Sequence, residues 1–185
     1  MNADEQQIAD FLKSKGLLPE EFTKEEKQNS KTPDFRVLKD NKLAFFCEVK
    51  SISADESVAW STILDGISNK IHEAVKQFDA VNPHLTYPNV LAFVNHDESC
   101  KSNDLINAIT GCELIGANNS IPLPFATKFS HGRIKEERLQ VGLYIWKDKS
   151  GLYKLFNKSP KEHFISLCGF FGVDSKSLKN ILGRR

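Results

Sequence analysis

The sequence predicts an α/β fold, a mixed central β-sheet flanked by helices, and three stretches carry that expectation. Residues 32–51, TPDFRVLKDNKLAFFCEVKS, hold two β-rich runs around a polar turn, the pattern of a hairpin. From Ile67 to Val81 apolar side chains recur at steps of three and four, the period of a helix that packs on a sheet. Residues 89–95, NVLAFVN, are an unbroken apolar run of strand length, which suits a central strand buried on both faces. A chain of 185 residues, 40% hydrophobic and 26% charged, has material for one domain with a substantial core.

Taken in order, Asn2 can cap a first helix in NADEQQIADFLKSKGLL, where Ile8, Phe11 and Leu12 form an apolar stripe and Gly16 supplies a stop. Residues 19–31, PEEFTKEEKQNSK, read as a polar connection. The hairpin follows, with FRVL and KLAFFCEV turning at Lys39-Asp40-Asn41-Lys42. Residues 53–66 are divided between loop and one helical turn. Ile67, Ile71, Ala74, Val75, Phe78 and Val81 then define the clearest helix, which Pro83 stops. Beyond the 89–95 strand, SNDLINAITG (102–111) is a capped helix ended by Gly111, and residues 112–138 are irregular. QVGLYIWKDKSGLYKLFNK makes a second hairpin at Lys149-Ser150-Gly151, and SPKEHFISLCGFFGV and SKSLKNILGRR make short C-terminal helices.

Charge says little about a partner, since 25 Lys and Arg stand against 24 Asp and Glu. Cys47, Cys100, Cys112 and Cys168 are scattered and form no C-x-x-C pair, which argues against a zinc knuckle and for reduced thiols. MNADEQQIAD lacks a basic segment followed by an apolar one, and no later apolar run has the length of a membrane span. The expectation is a cytoplasmic protein with no membrane partner.

The hairpin raises a chemical question, because Asp34, Glu48 and Lys50 sit where core strands ought to bury apolar groups. Side chains alternate across a strand, so Glu48 and Lys50 share one face and Cys47 and Val49 the other. With an odd-numbered loop, opposed residue numbers sum to 82 and Asp34 lies opposite Glu48. Two carboxylates so placed repel unless a proton or cation neutralises them. Mg²⁺ suits the arrangement, being held usually by one or two carboxylates, with waters and phosphate oxygens completing its shell. Lys50 beside it could orient a water or stabilise charge developing on a phosphate.

Pro33-Asp34, a short hairpin and Glu48-Val49-Lys50 resemble the PD-(D/E)XK nuclease superfamily, also called restriction-endonuclease-like, over roughly residues 1–96. The resemblance implies that Asp34 and Glu48 bind Mg²⁺, with Mn²⁺ as an alternative, and that the Val49 carbonyl adds a ligand. It also implies that Lys50 assists the attacking water in phosphodiester hydrolysis. Members often present a polar residue from the helix after the lysine strand. Gln77 and Lys70 share one shoulder of that helix here, while Asn69 and Lys76 are expected to point away. An acid on the first helix is frequent as well, and Glu5 takes that place, directly on the metal or through water. One departure stands out: the family core is αβββαβ, and EEFTKEEKQ is a poor candidate for the strand before Asp34. Residues 97–185, an extension with a hairpin and helices, fit no pattern.

Each residue also has a plainer reading. Asn2-x-x-Glu5 is a capping box, Gln77 and Lys70 could be solvated, and Asp34, Glu48 and Lys50 could form a turn and the wet face of a strand. His96-Asp97 reads as loop chemistry outside the site, and His131, Arg133, Lys135 and Arg138 as phosphate contacts or solvated charges. The expected function is a Mg²⁺-dependent nuclease acting on nucleic acid, DNA ahead of RNA; a homo-oligomer is compatible with the sequence. The rivals are a nuclease-fold module that binds nucleic acid or protein without cutting, and an unrelated α/β interaction protein in which Asp34 and Glu48 diverge.

Overall fold

The first hairpin is organised by its turn. In the computed structural model, which describes residues 1–53, 60–115, 123–126, 134, 137–157 and 159–176, Asp40 and Asn41 both take positive φ, 50° and 59°. A two-residue loop with that backbone matches the twist of the flanking strands, and Asp and Asn tolerate it better than most residues. It joins β2 (Phe35–Lys39) to β3 (Lys42–Ile52). Next to the turn Lys39 faces Lys42 and Leu38 faces Leu43, but a bulge between Val37 and Leu38 shifts the register, so that Val37 faces Phe45 and Phe35 faces Cys47. The loop is even, not odd as expected, and the bulge corrects the register: the two together put Asp34 opposite Glu48. Without the bulge Asp34 would face Cys47, and the two carboxylates would lie on opposite faces.

The segment read as a connection is structured. β1 (Leu18–Glu21) pairs antiparallel with β2, and α2 (Lys24–Asn29) follows, capped by a Thr23–Glu26 box. β1 is an edge strand with largely exposed side chains, where Pro19 is tolerated, and α2 buries no residue, so neither leaves an apolar period in the sequence.

β4 (Asn89–Asn95) lies parallel to β3, β7 (Leu143–Asp148) parallel to β4, and β8 (Gly151–Phe156) antiparallel to β7, giving one six-stranded mixed sheet in the order β1-β2-β3-β4-β7-β8. Helix α3 (Trp60–Val81) starts earlier than the apolar period suggests. It packs with α4 (Ser102–Thr110) on one face, where Ile67, Ile71 and Phe78 meet Phe46, Leu91 and Phe93. On the other face α1 (Ala3–Ser14) and α5 (Lys161–Phe170) bury Ile8, Leu12 and Leu167 against Phe45, Val90 and Ile145. Cover on both faces explains why every residue of β4 is buried and why its sequence does not alternate.

The C-terminal half is not an appendage, because β7 lies directly beside β4 in the same sheet. Within the stretch expected to be irregular, β5 (Cys112–Ile115) and β6 (Leu123–Ala126) form a separate antiparallel pair, and residues 137–140 a 3-10 turn. His131, Arg133 and Lys135, the side chain of Arg138, and most of SKSLKNILGRR lie outside the described residues. Cys47, Cys100 and Cys168 are buried and form no disulfide among the described residues. No helix among the described residues is long and apolar enough to cross a membrane.

Asn41 is the exposed hinge of this register. Asn41→Val should cost about 1–2 kcal/mol in urea denaturation, since a β-branched residue pays heavily at positive φ, whereas Asn41→Gly should be neutral or stabilising.

Candidate active site

The β2–β3 ladder ends where the chemistry begins. Phe46 donates its N–H to Pro88 and Ile52 accepts from His96, so even-numbered residues of β3 point their backbone groups toward β4 and odd-numbered ones toward β2. Past Phe35 and Cys47, the next rung toward β2 would pair Val49 with Pro33, and proline has no N–H to give the Val49 carbonyl. Side chains take over. The Val49 N–H donates to Asp34 Oδ2 at 2.8 Å, and the Asp34 N–H donates to Glu48 Oε2 at 3.0 Å. Each carboxylate thus holds backbone beside the other.

Register and alternation put both groups on the α3 face. There each carboxyl bears on the other's ionisation. Burial first, then the charge of Asp34, pushes Glu48 up to about 8, with Lys50 opposing. Asp34 is raised too, by burial above all and by the nearby charge of Glu5; the Val49 N–H, the bond to Glu48 and the Lys50 charge pull the other way. Without a cation, then, the pair keeps a proton at neutral pH. Asp34 and Glu48 lie together and do not diverge as the unrelated interaction-protein reading expected.

Lys50 Nζ lies 2.9 Å from Glu48 Oε1 and 3.6 Å from Glu73 Oε2, and donates to Gln77 Oε1 at 3.1 Å. The other end of the Gln77 amide donates to the Thr32 carbonyl at 3.1 Å, which fixes the amide's orientation and ties α3 to the segment leading into Asp34. Gln77 therefore lies beside Lys50, on the side of α3 where the sequence put it. Lys70, two turns earlier on α3, is only partly buried and lines no part of the cleft below.

Glu5 sits in the capping box read from sequence: its carboxylate takes the Asn2 backbone N–H at 2.8 Å and the Asn2 side-chain amide at 2.7 Å. It acts on Asp34 by charge. Beside it Asp4 holds Nε2 of His96, 3.0 Å from each carboxylate oxygen, and accepts from the Ser51 hydroxyl. His96 thus ties α1 to the ends of β3 and β4, while Asp97 accepts from Ser99 in the local turn that its sequence suggested.

A cleft of about 870 Å³ opens above the pair, between residues 27–33 and α3. Asp34 and Lys50 line its inner end, Lys27 and Lys31 one wall, and Glu73, Lys76 and Gln77 the other. Lys76 corrects an expectation: it does point away from the sheet, but α2 and residues 30–33 raise a wall opposite it, so that it faces the cleft. Glu73 was not anticipated either; its spacing, four residues before Gln77, was the available signal.

No group of three or more His, Cys, Asp or Glu able to hold a metal occurs among the described residues. Two carboxylates and the Val49 carbonyl are nevertheless a fitting donor set for Mg²⁺, which otherwise retains waters and takes phosphate oxygens. A buried Glu48 facing a half-buried Asp34, both with raised pKa, also marks a site where a divalent cation could take the place of a proton. Compared with known proteins, the chain matches no family model, no curated protein and no solved structure.

The pH dependence follows in sign from Glu48. Its acid strength is weaker folded than unfolded, so between about 4.5 and about 8 the native state binds the extra proton. That contribution to stability is complete below the unfolded value and is lost as pH rises through the folded one. Metal-free protein should therefore melt at progressively lower temperature from pH 5 to pH 9, and Glu48→Gln should flatten most of that slope. An unchanged slope in the variant would reassign the buried proton.

Proposed function

We propose that the protein is a metal-dependent nuclease that hydrolyses phosphodiester bonds of nucleic acid, with DNA the first substrate to test. What carries the reading is the Asp34–Glu48 pair, held face to face at a ladder end, with Lys50 on the same strand face at the inner end of a polar cleft. The order of elements supports it: α1, three antiparallel strands, α3 and a parallel β4 follow the αβββαβ order of the PD-(D/E)XK core, with α2 interposed.

Asp34, Glu48 and the Val49 carbonyl would hold the ion. When bound, Mg²⁺ or Mn²⁺ supplies positive charge against the phosphate and makes a water more acidic. Glu48, raised to about 8, would have to give up its proton to hold the ion, so affinity would rise with pH. Lys50 keeps a fixed ammonium beside the reacting centre, because Glu48 and Gln77 hold it from two directions. From there it orients the attacking water and counters charge that develops on the phosphate oxygens. Gln77, anchored on Thr32, keeps Lys50 from collapsing wholly onto the carboxylates.

Cleavage of labelled DNA and RNA in Mg²⁺, Mn²⁺ or EDTA tests this reading. Asp34→Ala and Glu48→Ala should abolish metal-dependent cleavage and the rise in melting temperature that Mg²⁺ confers, yet keep or slightly raise nucleic-acid affinity. Lys50→Ala should lose turnover by roughly 100-fold or more while keeping the Mg²⁺ melting shift. Wild-type protein that binds nucleic acid, cuts none of the forms offered and melts alike with and without either metal would instead be a binding module.

A further inference from the structure

The cleft carries more positive charge than the inner pair needs. Four lysines line it, Lys27, Lys31, Lys50 and Lys76, against Asp34 and Glu73 as the acids, although the whole chain has a formal charge of only +1. Lys31 and Lys76 are exposed, stand on opposite walls and make no ion pair among the described residues. Lys27 is partly neutralised by Glu21, 3.3 Å away. Among the described residues, those lining the cleft are polar or charged apart from Pro33, and none offers a ring on which a base could stack. Glu73 is 64% exposed and lies 3.6 Å from Lys50 Nζ, at the mouth of the site. A solvated ion pair of that kind costs little to break.

We propose that the cleft grips the sugar–phosphate backbone of a nucleic acid from both walls, through Lys31 and Lys76, and that the Glu73 carboxylate stands in for a phosphate on Lys50 until substrate displaces it. Resting on the nuclease reading for the identity of the polyanion, the inference adds which residues hold the backbone and that they do so without reading bases. Each lysine that meets a phosphate releases condensed counterions, so its removal lowers both the affinity and the salt dependence. Glu73 acts in the opposite sense, because its negative charge competes with the incoming phosphate for Lys50. Residues 73 and 76 are less than one turn apart on α3, so a general disturbance of that helix would shift both variants in one direction. The electrostatic role moves them apart.

Binding of wild-type protein in EDTA to fluorescent DNA of mixed sequence, single-stranded and duplex, measured by anisotropy from 50 to 200 mM salt, tests the proposal. Lys31→Gln and Lys76→Gln should each reduce the slope of log K against log salt by about 0.9 on duplex and about 0.7 on single strands, which corresponds to roughly 8-fold and 5-fold weaker binding at 0.1 M salt. Glu73→Gln should tighten binding several-fold, and Lys13→Gln, on α1, should leave it unchanged. Equal affinity and slope in both cleft-lysine variants, an equal loss in Lys13→Gln, or weaker binding by Glu73→Gln would each overturn the proposal. Cleavage assays separate it from the nuclease reading: lysine effects without any metal-dependent cutting would leave the cleft and remove the enzyme, and cutting with no lysine effect would do the reverse.

Discussion

A buried carboxyl, Glu48, facing a half-buried one, Asp34, at the end of a β-ladder is the constraint around which the site is arranged. Glu48 is 2% exposed and faces Asp34, an arrangement that a folded protein keeps only with a proton or a cation between the two groups. Three local features put them there. Pro33 ends the ladder by offering no N–H, the bulge at Val37 and Leu38 sets the register, and the two carboxylates take the N–H groups of Asp34 and Val49. Part of the desolvation cost is thus offset by hydrogen bonds that also fix the geometry.

Depth along one strand face then sorts the chemistry. Phe46 belongs to the core and Glu48 is buried at its margin, while the Lys50 side chain is 17% exposed at the inner end of the cleft. Helix α3 serves both layers. Its apolar stripe closes the sheet, and its shoulder supplies Gln77, Glu73 and Lys76. Across the sheet, Asp4 binds Ser51 and His96 and so anchors the N-terminus of α1, which brings the Glu5 charge near Asp34.

Much of this was legible in the sequence, for identifiable reasons. The hairpin, α3 and β4 carry strong hydrophobic periods because each buries a continuous surface. Glu48 and Lys50 could be placed on one face because alternation along a strand needs no tertiary information, whereas Asp34 joins them only through the register. Three features were silent. β1 and α2 bury almost nothing, so the missing strand and the cleft wall left no apolar pattern. The Val37–Leu38 bulge has no residue signature of its own. Lys76 was assigned from the apolar stripe of its own helix, whereas its surroundings are set by a wall some 45 residues away in the chain.

By itself, then, the sequence determined the α/β class, the elements with large buried faces, the capping box at Asn2 and Glu5, and the sharing of one strand face by Glu48 and Lys50. These follow from local chemistry and from periods of two and 3.6 residues, which any short stretch carries within itself. Tertiary structure decided that β7 lies beside β4, that a bulge brings two carboxylates together, and that Gln77 and Glu73 contact Lys50 in a cleft also lined by Thr32 and Lys76. Those outcomes depend on which surfaces meet, and the energy of a meeting belongs to both partners rather than to either stretch of chain.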